Sequence, residues 1–130
     1  DESTRLEAAR AWSVWEASTS RLLVDEGLVQ RCSADAFALA LARIECHYFV
    51  NEGFFAHDGW LLEQIDRFRG VPSTIVQGRY DMVCPTRSAF DLSKVWPEAK
   101  LIIVPDAGHA SSEPGIVDAL VGATDEYASL

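Results

Sequence analysis

The chain has 130 residues, 48% hydrophobic and 24% charged, the balance of a soluble globular domain or of parts of two. Its formal net charge is −9, and its 11 Lys and Arg neither cluster nor line a helix, which excludes a nucleic-acid surface. No apolar run nears the ~18 residues of a membrane span, so no membrane partner is expected.

In chain order, residues 1–69 read as helical. The charged start, Asp1-Glu2-Ser3-Thr4-Arg5, has no signal-peptide core and does not resemble a natural beginning. Thr4-x-x-Glu7 predicts a capping box, after which Leu6, Ala9, Trp12 and Trp15 recur at helical spacing. A second helix is predicted after Ser33, with Phe37, Leu41, Ile44 and Tyr48 towards a core, ending before Gly53. A third fits Gly59 to Arg69, capped by Asp58 and stopped by Gly70 and Pro72, with Glu63 and Arg67 paired at i,i+4. Trp60, Phe68, Phe90 and Trp96 read as core.

From residue 70 to 130 the pattern becomes β-α-β-α. Thr74-Ile75-Val76 and Leu101-Ile102-Ile103-Val104 are short apolar runs of the kind that parallel strands show when both faces are covered. Pro85-Thr86 opens a helix that runs to Trp96, where Pro97 forbids its continuation, and a last helix follows Glu113-Pro114. The fold class is therefore α/β, the tail of a doubly wound sheet. Two strands make an unsatisfactory core alone, since outer edges and a helix-free face should remain.

Cys32, Cys46 and Cys84 are too few and too dispersed for a disulfide framework, which points to a reducing, cytoplasmic setting. Cys32 and Cys46 read as small buried hydrophobes. His47, His57 and His109 form no HExxH and no CxxC occurs, so neither metal nor cofactor is expected.

Chemistry is expected at Asp81 and His109. Each follows an apolar strand that breaks at glycine, so an acid and then an imidazole lie beyond the C-terminal ends of two strands, where open α/β sheets hold their sites. That is the order in which an α/β-hydrolase presents the last two members of its triad, and no G-x-S-x-G precedes them. The plainer readings are a turn in which Asp81 serves backbone donors and a helix capped by His109. Glu16 and Glu45 are a second pair of interest. The residues three and four positions away are Trp12, Ser13, Thr19 and Ser20 for Glu16, and Leu41, Ala42, Tyr48 and Phe49 for Glu45, none of them basic. Each carboxylate calls for a cation from elsewhere, either an arginine such as Arg21 or Arg43 or the ammonium group of a substrate.

On Ala11-Trp12-Ser13-Val14-Trp15-Glu16, Ile44-Glu45-Cys46-His47-Tyr48-Phe49, Val76-Gln77-Gly78-Arg79-Tyr80-Asp81-Met82-Val83-Cys84-Pro85 and Ala107-Gly108-His109, the chain resembles the proline iminopeptidases, serine peptidases of the α/β-hydrolase fold with a helical cap. The resemblance implies a C-terminal piece, with residues 1–69 a cap segment and return to the core and residues 70–130 the end of the hydrolase domain. It implies Asp81 and His109 as triad acid and base, with Glu16 and Glu45 binding the imino nitrogen of a peptide's free N-terminal proline. Tyr48 and Phe49 would wall the pyrrolidine, and Cys84 would be a thiol near the pocket, open to mercurials. The nucleophilic serine and oxyanion hole would come from the missing N-terminal half, so this piece alone is expected to be inactive. Rival readings are another capped hydrolase, such as an esterase or epoxide hydrolase, and a non-catalytic module that binds a ligand or a complementing half through its sheet edge.

Overall fold

The structure, a computed structural model, describes Asp1 to Ser129 and consists of two compact units. One comprises Asp1–Thr19 and Leu23–Ala56, the other Ser20–Leu22 and His57–Leu130.

The first unit is helical: α1 (Glu2–Thr19), α2 (Glu26–Cys32), α3 (Asp35–Val50) and a 3-10 turn at Glu52–Phe54. The first turn of α1 is served by Asp1, whose Oδ1 accepts from the Thr4 N–H at 2.9 Å, so the cap is Asp1 and not the expected Thr4. The short α2 was not expected from the sequence; Asp25 caps it by accepting from the Leu28 N–H at 2.9 Å. Small residues form the packed line of α1, namely Ala9, Ser13 and Ala17, and the Ser13 hydroxyl donates to the Cys32 carbonyl at 2.7 Å. The predicted helix faces need correction accordingly. Trp15, Phe37, Ile44 and Tyr48 are exposed, Ala38 is the buried residue of α3, and Cys46 is exposed while Cys32 is buried. After α3 the backbone turns left-handed through Glu52, Gly53 and Phe54 (φ 53°, 63° and 62°), and the Phe54 ring lies 5.5 Å from that of Tyr48.

The second unit holds α4 (Trp60–Glu63), a 3-10 turn (Ile65–Arg67), β1 (Thr74–Gly78), α5 (Thr86–Val95), β2 (Lys100–Val104) and α6 (Pro114–Tyr127). The single helix expected from Gly59 to Arg69 is thus two short pieces. Gly59 enters with φ 82° and no side chain caps the turn, and Glu63 meets His57 Nε2 at 3.5 Å instead of Arg67. β1 and β2 pair in parallel, Thr74 opposite Lys100 through Gly78 opposite Val104. Alternate strand residues point to opposite faces. Ile75 packs with Leu92 and Trp96 of the α5 side, against Ile65 and Ala99. Val76, Ile102 and Val104 pack with Ile116 and Ala119 of α6. Each face of the sheet therefore carries one helix, and the helix-free face expected from the sequence is absent; the outer strand edges remain. Trp96 is buried with the Phe68 ring at 5.1 Å, whereas Phe68 itself and Phe90 are exposed and not core.

At its end β1 runs against the chain leaving β2. Arg79 N–H donates to the Val104 carbonyl at 2.9 Å and Tyr80 N–H to that of Ala107 at 3.0 Å. A β-carbon on Gly78 would stand 1.8 Å from the Gly108 carbonyl oxygen, so only glycine lets the two loops meet. Gly78→Ala is expected to destabilise by about 3 kcal/mol or more, because backbone must move to admit the methyl. Gly122→Ala, within α6 and with open space around it, should instead gain about 0.5–1 kcal/mol. Urea unfolding of the two variants checks both signs.

Candidate active site

Asp81 lies in the turn after β1, its side chain only 6% exposed, and its carboxylate takes four hydrogen bonds. Oδ1 accepts the Val83 N–H at 3.0 Å and the Cys84 N–H at 2.7 Å, an Asx-type turn that sets the carboxylate plane. Oδ2 accepts Gln77 Nε2 at 3.0 Å and faces His109 Nδ1 at 3.0 Å. Gln77, at the end of β1, also reaches the Cys84 carbonyl at 3.2 Å, so strand and turn are tied together around the acid.

His109 lies in the loop between β2 and α6. Its N–H and that of Ala110 both donate to the Ser20 carbonyl, at 2.9 and 2.7 Å. Since an ionised carboxylate only accepts, the proton of a neutral imidazole resides on Nδ1, and Nε2 keeps its lone pair. The ring is 38% exposed while its acid is covered, so an oriented base stands open on one side and anchored on the other. Such a pair takes a proton from a hydroxyl placed at Nε2 and returns it to a leaving group.

The two glutamates belong to the helical unit. Glu45, half-buried on α3, accepts the indole N–H of Trp12 on α1. The Trp12 ring stands 5.9 Å from that of Trp15 and 6.0 Å from that of Phe49, which makes the surroundings of this carboxylate aromatic. Glu16, also half-buried, is one turn beyond Trp12 on the same face of α1. The helical spacing of residues around Glu45 gave no sign of its indole partner, which comes from 33 positions away. The bonds made by the Gln77 and Glu113 side chains likewise gave no sign in the sequence. Gln77 shows only as a polar residue closing an apolar strand, and Glu113 only as a residue before a helix-opening proline.

Among the described residues no cluster of three His, Cys, Asp or Glu side chains is arranged to hold a metal ion, and no helix is long and apolar enough to cross a membrane.

No family model matches the chain. Among curated proteins it is 56% identical over 127 residues to a probable proline iminopeptidase of Leptolyngbya boryana and 57% identical over 128 residues to a proline iminopeptidase of Xanthomonas citri, each match covering 98% of this chain. A proline iminopeptidase of Arabidopsis thaliana is 54% identical over 95% of it. The chain spans only 40%, 41% and 32% of the length of these relatives. Its small parallel sheet flanked by helices is of the α/β class expected from the sequence.

Asp81→Asn tests the pair by itself. An amide cannot accept from Val83, Cys84, Gln77 and His109 together, so the variant should lose about 1–3 kcal/mol and release the Nδ1 tautomer. Nitrogen-15 spectra of the imidazole, taken with and without the substitution, report the tautomer directly.

Proposed function

We propose that this chain, similar over nearly its whole length to about two-fifths of the length of proline iminopeptidases, supplies the acid, the base and the amine-binding carboxylates of a serine exopeptidase that releases N-terminal proline. The observation that carries the reading is the Asp81–His109 pair, with Nδ1 held at 3.0 Å and Nε2 open. The nucleophilic serine and the oxyanion donors come from the remaining part of the hydrolase domain, the chain's first partner. His109 Nε2 takes the serine proton as the hydroxyl attacks the prolyl carbonyl, and Asp81 stabilises the imidazolium that forms. The proton passes to the departing amine, the shortened peptide leaves, and water then attacks the acyl-enzyme with His109 again as base. The reaction draws on no cofactor.

Glu16 and Glu45 receive the charged imino nitrogen of the terminal proline. Carboxylates placed to meet a cation favour a free, charged terminus over a blocked one. Tyr48 and Phe49, beside Glu45 in sequence and both exposed, wall the pyrrolidine ring. Residues 1–69 act as cap segment and return to the core. Cys84 is an exposed thiol whose own N–H holds Asp81, so a mercurial there disturbs the acid. Three free cysteines fit a reducing, cytoplasmic location.

In the full-length protein Asp81→Asn is expected to lower kcat about ten-thousand-fold on a prolyl amide. Glu16→Gln and Glu45→Gln are expected to raise KM for unblocked prolyl substrates by roughly ten- to a hundred-fold, with far less effect on neutral esters. Equal losses on both substrates would favour a capped esterase. The 130-residue chain alone should hydrolyse prolyl naphthylamide no faster than its Asp81→Asn variant; activity above that control would refute the need for an outside nucleophile.

A further inference from the structure

Glu113 is a buried acidic side chain, with the residue 6% exposed, that the chemistry above does not use. It precedes Pro114 at the start of α6, the position where a side chain ordinarily caps its own helix, yet it makes no such bond. Its carboxylate reaches back instead. Oε1 accepts the Gly108 N–H at 2.6 Å and Oε2 accepts the Leu22 N–H at 3.2 Å. The Glu113 N–H donates to the Ala110 carbonyl at 3.0 Å, which closes the turn that follows His109. On the other side Ser20 accepts from His109 and Ala110. The Gly108–His109 turn is thereby clamped between Glu113 and the Ser20–Leu22 segment. The space is full: a β-carbon on Gly108 would come within 2.9 Å of Leu22 N and 3.2 Å of Glu113 Oε1.

Only a carboxylate serves both N–H groups. Glutamine keeps one acceptor but turns an NH2 towards the second donor, and a shorter side chain does not span the gap. A charge-assisted bond inside a water-poor loop is also stronger than a neutral one. We propose that Glu113 is a positioning residue, one whose two bonds fix the backbone of the histidine loop and so hold His109 Nδ1 against Asp81. Its kinetic consequence rests on the peptidase reading, whereas its structural consequence does not.

The test uses the full-length protein with Glu113→Gln, Glu113→Ala and, as control, Glu126→Gln, which alters only the exposed Lys100 ion pair at the other end of α6. Two quantities are read: the far-downfield proton resonance of His109 Nδ1, identified by its loss in Asp81→Asn, and kcat and KM on a prolyl amide. Glu113→Gln should broaden or shift that resonance and lower kcat roughly ten-fold with KM within about two-fold, and Glu113→Ala roughly a hundred-fold, because small misplacements of a reacting group are expensive. Glu126→Gln should leave both unchanged. A folded Glu113→Gln protein with the resonance intact and kcat unaltered would overturn the proposal. So would a kcat loss that only tracks the folded fraction, or absence of the resonance from the unaltered protein. If Glu113→Ala does not fold, the near-isosteric glutamine variant decides. Should the unaltered protein cleave no prolyl substrate, the peptidase reading fails and the resonance alone decides the role of Glu113.

Discussion

The carboxylate of Asp81 is the junction on which the site depends. Its two oxygens gather a strand side chain, two backbone amides of the following turn and an imidazole from another loop. A group this covered is costly to bury unless every lone pair is met, and here four donors meet it. The carboxylate is therefore held in place by four donors, one of which is the imidazole. Preorganisation of this kind fixes which ring nitrogen of the histidine faces the acid.

Two backbone circumstances make the junction possible. The parallel register sets Gly78 opposite Val104, so both chains leave the sheet at one level. The missing side chain at Gly78 then lets the Ala107–Gly108 peptide lie against the strand end. Beyond the junction, stabilisation is dispersed. One small apolar cluster lies on each face of the sheet, and many large apolar residues stand in solvent, among them Leu23, Val50 and Met82. That much exposed apolar surface suits a chain spanning about 40% of the length of its relatives.

Much of this was legible in the sequence, and the reasons it was or was not are physical. β1, β2, α5 and α6 announce themselves because β-branched runs, a helix-opening proline and a forbidding Pro97 act locally. Asp81 and His109 could be picked out because strand ends fix where loops emerge. The faces of α1 and α3 were misjudged because close helix packing there selects Ala9, Ser13, Ala17 and Ala38, small residues that a search for large apolar ones passes over. The helix expected between Gly59 and Arg69 divides at Gln64, where an α-helical turn gives way to a 3-10 turn, a change that helical spacing does not reveal. The partners of Trp12, Gln77 and Glu113 were illegible for a different reason: side-chain type does not disclose a partner that is distant in the chain or on its backbone.

The Ser20–Leu22 segment has a consequence for how the molecule is made. It meets the histidine loop through bonds that span 91 residues, the longest separations among the side-chain hydrogen bonds of that loop. Closing so wide a loop costs entropy that local contacts such as α5 against the strands do not incur. Order around His109 therefore carries a larger loop-closure cost than the strand–helix contacts do. The histidine loop is accordingly the part of its unit whose order depends most on contacts made across the chain rather than along it.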